Sequence, residues 1–458
     1  MLNESISADT EYLIKSGINF LGILNDLKRR PEDAANELQV SIDEINLIIQ
    51  GKIKIRSEII DKALNIWPVN ARDFYVIQDD CTLGVKIMTA EQSKKSRRIM
   101  DRAGKPYYEY RDTAISKVAP FRPEWIMELC YVEDNEPSNP NAQWNNGHFM
   151  HQFTYFIGEV NFYYYNSKGE KKIAVMNTGD SMYITPFTSH TFTTRKGAKE
   201  NGLILALTYG SKLTGDTQQE LVALSEELGS NFALDFSSKE TASASLIKYH
   251  RDIANLSLEE LSKRTLIPID ELTDFESGSK IPSFSEFEKI AHALTVNVRD
   301  LLPNDKTEDK VVIQYHNKAR KWFYPENKKS YEFIQLASTT ALPFSKAFEI
   351  HVLDSKNSKL DLKFGLHQYI YNIGDSQILL YWKFGGKKYE ETINPGDSLY
   401  MKPFINHGFS GNGKLLILRI GGKIAGESQR ELSIVGKTNA KRAIAETMQW
   451  FNPEGKIS

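Results

Sequence analysis

The sequence predicts an α+β fold in which a small helical bundle and a jelly-roll β-barrel each occur twice along the chain. Residues 151–158 (HQFTYFIG) recur as residues 367–374 (HQYIYNIG). Residues 179–190 (GDSMYITPFTSH) recur as residues 396–407 (GDSLYMKPFINH). Such repeats indicate an internal duplication. Positions that agree between the copies are expected to serve the fold, and chemical residues found in one copy only become candidates for function.

Length and composition restrict the kinds of protein to consider. A chain of 458 residues exceeds a single hydrophobic core and fits several domains. A formal net charge of −2 and a sequence pI near 6.5 favour neither nucleic acid nor membrane partners. Cys81 and Cys130 are too few for a disulfide framework or a thiolate zinc site. Residues 1–7 lack the character of a signal peptide, and no span is long enough to cross a bilayer. We therefore expect a soluble, cytoplasmic protein.

Amphipathic segments predict the two helical bundles. Residues 41–45 (SIDEI) recur as residues 268–272 (PIDEL), among apolar residues spaced three and four apart. We expect the first bundle over residues 1–80, and a linker with the second bundle over residues 213–305. The bundles resemble the helix-turn-helix domains of small repressors.

The linker before the second bundle is predicted near residues 212–245. It is expected to be helical over residues 217–227 and then polar and exposed from Ser237 to Ser245. The helices of the second bundle are expected to start at Leu258 and to continue through Ala293.

After each bundle, short aromatic runs that alternate in polarity predict β-strands. They are residues 107–110, 152–165, 171–176, 181–185 and 203–208. Closely spaced strands of this kind favour a barrel or jelly roll. The Gly-Asp and Pro-to-His segments resemble the second sequence motif of the cupin family. The expected barrels are residues 81–212, which bind the metal, and residues 306–458, which are degenerate.

Three side chains of the first barrel form a candidate metal site. His148 and Gln152 are four apart, which would put both on one face of one strand, whereas His151 would face the other way. His190 would join them from a later strand. Two imidazoles and one oxygen donor suit mononuclear non-haem Fe(2+). Gln152 has a second interpretation, as a buried glutamine that only satisfies its own hydrogen bonds.

The second barrel lacks part of this set, since Phe364 stands where the first barrel has His148. Gln368 and His407 remain, and two ligands hold iron poorly. We therefore predict that the second barrel binds no metal.

Other chemically useful residues are also confined to the first copy. They are Lys28, Arg102, Tyr110 and Asn145, which face Asn255, Pro325, Phe333 and Asp361 in the second copy. Two cations, a hydroxyl and an amide are donors suited to a phosphate or phosphonate group. For Lys28 and Arg102, surface ion pairs are the alternative interpretation. A small tetrahedral oxyanion is the expected substrate.

The chain resembles the hydroxyethylphosphonate dioxygenase family of non-haem iron cupin enzymes, including the methylphosphonate synthases. The resemblance rests on residues 145–148 (NNGH), on residues 102–110 and on the paired bundle-plus-cupin repeats, and it spans essentially the whole chain. The dioxygenases of this family look like iron enzymes with two histidine ligands and one glutamate ligand. The glutamate lies six residues before the last histidine. That position is Ile184 here. The departure implies the synthase pattern, in which Gln152 completes the triad with His148 and His190.

The resemblance implies a reaction and a set of roles. Fe(2+) and O2 would cleave the C–C bond of 2-hydroxyethylphosphonate to methylphosphonate and carbon dioxide. Lys28, Arg102, Tyr110 and Asn145 would bind the phosphonate. Lys28 lies in the first bundle, so that bundle would cover a barrel mouth, in its own subunit or a neighbour's, and a homo-oligomer is expected.

Two alternatives remain from the sequence alone. One is a dioxygenase that gives hydroxymethylphosphonate and formate. The other is a transcription regulator whose bundles bind DNA while the cupins sense a ligand. The neutral net charge and the acidic pair Asp43 and Glu44 in the would-be recognition region argue against DNA binding.

Overall fold

A computed structural model describes residues 8–210, 213–303 and 310–445. Residues 1–7 and the predicted boundaries at 212 and at 305–306 lie outside the described residues. The helices are α1 (Ala8–Asp26), α2 (Pro31–Leu38), α3 (Ile42–Ile49), α4 (Ser57–Ile66), α5 (Ala90–Lys95), α6 (Asp216–Gly229), α7 (Lys239–Ile253), α8 (Leu258–Thr265), α9 (Ile269–Ser277), α10 (Phe284–Leu294) and α11 (Glu427–Ala445).

The strands belong to two barrels of similar construction. In the first half they are β1 (Val85–Met88), β2 (Arg98–Arg102), β3 (Lys105–Asp112), β4 (Arg122–Glu128), β5 (His151–Ile157), β6 (Val160–Tyr165), β7 (Lys171–Met176), β8 (Ser181–Ile184), β9 (His190–Thr194) and β10 (Leu203–Tyr209). In the second half they are β11 (Val311–Gln314), β12 (Lys321–Tyr324), β13 (Tyr331–Gln335), β14 (Ser345–Val352), β15 (His367–Asn372), β16 (Ile378–Phe384), β17 (Lys387–Ile393), β18 (Ser398–Met401), β19 (Asn406–Gly411) and β20 (Gly413–Ile420).

Each barrel consists of a seven-stranded and a three-stranded antiparallel sheet. The seven-stranded sheets have the orders β11-β8-β5-β10-β4-β3-β2 and β1-β18-β15-β20-β14-β13-β12. The three-stranded sheets are β7-β6-β9 and β17-β16-β19. The predicted α+β tandem fold is confirmed. The run predicted at 152–165 divides into β5 and β6, because the chain turns at Gly158, whose φ is +83°.

The sheets exchange one strand each. β1, from the first half, pairs with β18 in the second barrel, and β11, from the second half, pairs with β8 in the first barrel. The predicted barrels 81–212 and 306–458 therefore need correction, because residues 85–88 and 311–314 belong to the opposite sheets. The rest of the four-part division remains a proposal.

The repeated Gly-Asp-Ser segment joins the halves. Asp397 accepts a hydrogen bond from the amide of Ala90, and Asp180 accepts the corresponding one from the amide of His316, at 2.8 and 2.9 Å. The neighbouring serines accept from the opposite half in the same way, Ser398 from Ala114 and Ser181 from Ala337. This motif recurs because both copies use it to anchor the other half.

The outer faces of the two large sheets pack against each other in one aromatic core. Its fully buried tyrosines are Tyr155, Tyr183, Tyr369, Tyr371 and Tyr400. Since residues from both barrels fill a single core, the barrels stabilise each other.

The predicted exposed linker ends earlier than expected. Ser238 caps α7, and Ala242, Ser243 and Ala244 are buried in the second bundle. The polar composition of 237–245 reflects a helix N-terminus rather than a free connection, because serine and threonine satisfy the first amides of a helix.

Candidate metal centre of the first barrel

Three side chains converge inside the first barrel. Gln152 lies on β5 and is 4% exposed, and His190 begins β9 and is 3% exposed. His148 lies before β5 rather than on it, so the predicted single strand for His148 and Gln152 was wrong. The convergence itself is observed, since His148 Nε2 lies 2.9 Å from Gln152 Oε1 and the His148 and His190 rings are 5.2 Å apart.

Gly147 permits the turn that presents His148. Its φ is +76°, and a Cβ there would lie 2.8 Å from the Cα of Phe187. The amide of Phe187 in turn donates to the carbonyl of His148 at 2.8 Å. A side chain at position 147 would therefore push His148 away from the barrel.

Backbone carbonyls fix both imidazole tautomers. Nδ1 of His148 donates to the carbonyl of Met150 at 2.6 Å, and Nδ1 of His190 donates to the carbonyl of Thr188 at 2.8 Å. Burial lowers the pKa of His190 to about 3, so its ring is neutral. With Nδ1 bound to a carbonyl, Nε2 is the ring atom of each histidine that is left to bind a metal, as in metal-binding histidines.

The amide of Gln152 is oriented as well. Its Nε2 donates to Thr154 Oγ1 at 2.8 Å, which turns Oε1 towards His148. Two acceptor atoms, Oε1 and the His148 Nε2 lone pair, thus face each other at 2.9 Å. Adjacent ligands of an octahedral ion with bonds of about 2.1 Å are separated by about 3 Å. The donor set therefore fits a single bound cation. Outside this triad, the described residues contain no group of three or more His, Cys, Asp or Glu side chains suited to a metal.

Asn145 lies next to the ligands. Its Oδ1 accepts from the amides of Gly147 and His190, both at 2.9 Å, and its Nδ2 lies 3.2 Å from His190 Nε2. The side-chain N–H group of Asn145 thereby points at His190 Nε2, at the edge of the proposed metal position.

Arg102 and Tyr110 are on the same side of the barrel. Nη1 of Arg102 donates to the carbonyl of Gln143 at 2.6 Å and to Thr191 Oγ1 at 3.2 Å. Its guanidinium carbon lies 4.6 Å from the centre of the Tyr108 ring, and Tyr108 packs edge-on against Tyr110. Burial raises the pKa of Tyr110 to about 12, against the opposing effect of Arg102, so the phenol remains a hydrogen-bond donor.

Lys28 is in the first bundle and not among the ligands. It follows α1 with a left-handed φ of 58°, is exposed, and donates to the carbonyls of Asn25 and Asp26. Asn255 has the equivalent position in the second bundle, with φ 51°. A lysine replaces the asparagine that this conformation favours.

In the second barrel, a buried arginine lies beside the counterparts of His148 and Gln152. Phe404 donates to the carbonyl of Phe364 as Phe187 does to that of His148, which confirms the predicted pairing of Phe364 with His148. Gln368 lies opposite Arg419 where Gln152 lies opposite Thr208.

The Arg419 guanidinium fills the centre of that barrel. Its Nε donates to Gln368 Oε1 at 3.2 Å, and its carbon lies 3.4 Å from the centre of the Phe364 ring. Burial lowers the pKa of Arg419 to about 9. The predicted absence of a metal there remains a proposal, and Arg419 supplies a physical reason for it.

The structure changes two of the pairings between the copies that the sequence predicted. The amide of Asn145 donates to the carbonyl of His190 as that of Leu362 does to His407, so Leu362 rather than Asp361 is the partner of Asn145. Seven residues separate the paired Met100 and Tyr108, and six separate the paired Tyr324 and Tyr331, so Arg102 has no strict equivalent. Neither change restores a donor to the second barrel.

A cavity of 1240 Å³ lies between the barrels, and its lining includes Met150 and Thr208, the latter directly opposite Gln152 on the neighbouring strand. Its lining includes the basic side chains Arg122, Lys423 and Arg430. The acidic side chains Glu124 and Glu427 line it as well, and Glu427 pairs with Arg430.

Sequence comparison of the copies could have identified two further residues. Glu128 lies inside the first barrel at the position of Val352, and Thr208 at that of Arg419. The signal was the same loss in the second copy, but β4 was not predicted, because its glutamates obscure the strand pattern.

Two bundle-plus-cupin units, with an imidazole, an amide and a second imidazole gathered in one barrel only, define the class of protein: a tandem cupin metalloenzyme. The chain is 65% identical over 447 residues to methylphosphonate synthase of Nitrosopumilus maritimus (strain SCM1), covering 98% of each protein. It therefore belongs to the methylphosphonate synthase and hydroxyethylphosphonate dioxygenase family.

Solved structures agree with this assignment. Streptomyces albus hydroxyethylphosphonate dioxygenase, solved with 2-hydroxyethylphosphonate and Fe(II) bound, is 34% identical, with 97% of this chain and 100% of that one covered and a TM-score of 0.89. PhpD, solved with cadmium and hydroxyethylphosphonate, is 18% identical over 93% of this chain and 98% of its own, with a TM-score of 0.73, and shows the same fold.

A helix-turn-helix family model matches residues 247–301. The helix in the recognition position, α9, carries Asp270 and Glu271 in its first turn. Among the described residues, no helix is long and apolar enough to span a membrane.

Proposed function

We propose that this protein converts 2-hydroxyethylphosphonate and O2 to methylphosphonate and carbon dioxide, with Fe(II) as its cofactor. The observation that carries the proposal is the pair Gln152 and Ile184, which lie opposite each other on β5 and β8. Gln152 would offer an amide oxygen to the metal, whereas the dioxygenase pattern has a carboxylate at the position of Ile184. The relative that is 65% identical is a methylphosphonate synthase.

His148, Gln152 and His190 would hold the iron on one face. Fe(II), when bound, supplies open coordination positions and electrons for the chemistry of O2. The neutral amide of Gln152 leaves the site one unit more positive than a glutamate would, which favours a dianionic substrate.

The residues around the triad would bind and orient the phosphonate. Asn145 Nδ2 is a donor beside His190, the Tyr110 hydroxyl is a donor on a ring packed against Tyr108, and Arg102 contributes a partly buried cation over the same Tyr108 ring. Held between these groups and the metal, the substrate would have its hydroxyl-bearing carbon fixed in place for oxidation.

Lys28 would complete the phosphonate site from a neighbouring subunit. Its ammonium lies at the exposed end of α1, in a bundle with its own core, so a homo-oligomer that places this end over another copy's barrel would deliver the charge. A reducing cytoplasm is the proposed compartment, since the thiols of Cys81 and Cys130 are both free.

The overall reaction balances without an external reductant. One 2-hydroxyethylphosphonate and one O2 give one methylphosphonate, one carbon dioxide and one water. The carbon that carries the hydroxyl group leaves as carbon dioxide, and the other keeps the phosphonate and gains a hydrogen to become the methyl group.

Anaerobic loading with Fe(II), followed by substrate and O2, tests the proposal by phosphorus NMR. Methylphosphonate as the main product is expected. Hydroxymethylphosphonate with formate as sole products would instead identify a dioxygenase. The variant His148→Phe, which copies the second barrel, should lose both iron and product, while Phe364→Leu should retain both.

A further inference from the structure

Glu128 is an ionisable side chain buried inside the catalytic barrel, and the proposed reaction gives it no role. It is 0% exposed, and neither carboxylate oxygen has a hydrogen-bond partner. Its backbone is satisfied, since its amide donates to Gly202 and its carbonyl accepts from Thr194. A buried carboxyl without a partner is costly, so its retention calls for an explanation.

Strand register places Glu128 beside the phosphonate-binding side chains. It lies directly opposite Tyr108 on β3, and directly opposed residues project from the same face of a sheet. Tyr110 projects from that face two residues further on. The Arg102 guanidinium lies over the same Tyr108 ring, at 4.6 Å. Tyr108 is therefore flanked by a cation and by a carboxyl group.

The second barrel lost both charges together. Tyr331 takes the place of Tyr108, since each hydroxyl accepts a hydrogen bond from a β-strand amide, that of Phe409 or that of Phe192. Opposite Tyr331 lies Val352, where Glu128 lies opposite Tyr108. The second barrel thus has no equivalent of Arg102 and none of Glu128.

We propose that Glu128 is the counter-group of Arg102, and that it takes up one proton when a phosphonate dianion binds to Arg102. This inference rests on the proposed function. Without substrate, the guanidinium opposes the effect of burial and favours the carboxylate. With substrate, two anions share one cation in a dry barrel, so at any pH where Glu128 is ionised without substrate its carboxylate is protonated when substrate binds. The new O–H bond forms on a carboxylate oxygen, and the proton comes from the buffer.

The surrounding groups support this assignment. Burial raises the pKa of Glu128 well above its usual value, and Arg102 opposes that rise. Neutralising Arg102 with a ligand removes the opposing effect and leaves burial to favour the protonated acid. The other ionisable groups that face Glu128 are Tyr107, Tyr108, Tyr110 and Cys130, whose own pKa values are raised.

Isothermal titration calorimetry tests the proposal. The Fe(II) protein, kept anaerobic, is titrated with 2-hydroxyethylphosphonate in buffers of different ionisation enthalpy, from about pH 6 to about pH 9. The isosteric variant Glu128→Gln cannot take up the proton. Because the phosphonate's own ionisation is common to both proteins, the difference in proton uptake isolates Glu128. We expect the wild-type protein to take up as much as one proton more within a window of pH.

Inside that window, the Kd for 2-hydroxyethylphosphonate should increase with pH more steeply in the wild-type protein than in Glu128→Gln. The difference should be a factor of up to about ten per pH unit. Glu124→Gln is the matched control: this glutamate lies on the same face of β4 but pairs with Arg98, so the variant should behave like the wild type. Equal proton uptake by the wild-type protein and Glu128→Gln at every pH would overturn the proposal.

Two further outcomes are distinguishable. No binding of the phosphonate by the wild-type protein would refute the proposed function, and this inference with it. If Glu128→Gln does not fold, infrared difference spectra of the wild-type protein decide the question. Absorption of a protonated carboxyl should increase on substrate binding, and its absence would contradict the proposal.

Discussion

At the scale of single residues, Gln152 and Ile184 show how one exchange can redirect a metal site. Both are buried and directly opposite on neighbouring strands, so either position can present a ligand to the same centre. In the proposed site, isoleucine stands where the dioxygenase pattern has its carboxylate, and an amide would provide the oxygen from the other strand.

Gln152→Glu should retain iron, because glutamate keeps an oxygen donor at the same place. The added negative charge reduces the positive charge that holds the dianionic substrate, and we expect the product to shift towards hydroxymethylphosphonate and formate. Phosphorus NMR measures the ratio. Gln368→Glu, in the second barrel beside Arg419, should leave the ratio unchanged. An unaltered yield of methylphosphonate from Gln152→Glu would count against a special role for the neutral ligand.

Lys28 combines an unfavourable backbone conformation with a proposed function. Lys28→Asn should stabilise the first bundle by about 0.5–1 kcal/mol, since asparagine tolerates a positive φ better. The same variant should raise the KM for 2-hydroxyethylphosphonate at least tenfold, because one phosphonate contact is lost. Denaturant unfolding and steady-state kinetics measure the two effects.

The reverse change in the second bundle is the control for this prediction. Asn255→Lys should cost a similar amount of stability and leave the KM unchanged. A KM that stays constant in Lys28→Asn would remove Lys28 from the substrate site.

At the scale of structural elements, the two barrels differ in what lies beside their inner glutamine and histidine. Each places a glutamine and a histidine inside. In the first barrel a metal ion fits, and in the second the guanidinium of Arg419 bonds Gln368 and covers Phe364.

The double variant Phe364→His/Arg419→Thr should therefore create a second metal site. It restores the imidazole and removes the resident cation, so iron content should rise from one to two per chain. Phe364→His alone should stay at one, because the buried guanidinium repels a divalent ion. Metal analysis after anaerobic loading gives the count, and a single iron in the double variant would contradict this account of Arg419.

His407 makes the second barrel sensitive to acid. It is 0% exposed, and burial, together with Arg419, lowers its pKa to about 4. The unfolded value is near 6.5, so the neutral ring stabilises the fold fully above that pH, and this contribution is lost as the pH falls towards 4. The loss is about 1.4 kcal/mol per pH unit.

Replacing His407 by a residue that does not titrate should reduce the pH dependence of the free energy of unfolding. Denaturant unfolding of His407→Gln between pH 6.5 and 4 should show a slope about 1.4 kcal/mol per unit smaller than that of the wild-type protein. Identical slopes would mean that His407 is not buried as a neutral ring.

At the scale of the whole molecule, neither barrel is complete in its own half of the chain. β1 and β11 cross between the halves, and one aromatic core lies between the barrels. The second half of the chain therefore supplies a strand and a packing face to the first barrel.

A fragment of residues 1–210 should not fold by itself, because the edge of β8 lacks β11 and the aromatic face is exposed. Circular dichroism and iron binding of the fragment should show neither native structure nor a metal site. Adding residues 213–458 during refolding should restore both. A fragment that binds one iron alone would show that the exchange is dispensable.

Much of this architecture could be predicted from local patterns. The repeated motifs identified the duplication, and alternating runs located strands such as β7 to within the observed bounds. β4 escaped prediction because Glu124 and Glu128 point inwards, contrary to the usual alternation of apolar inside and polar outside. The exchange of β1 and β11 could not be predicted, since either pairing satisfies the same strand pattern.

The sequence by itself determined the duplication, the two kinds of domain and the residues present in only one copy, because these are properties of order and spacing along the chain. Only the tertiary structure decided which side chains meet. It placed His148 on a turn, Arg419 beside Gln368, and Glu128 and Arg102 next to the same tyrosine, Tyr108. These relations join residues far apart in the chain, and packing, rather than local preference, fixes them.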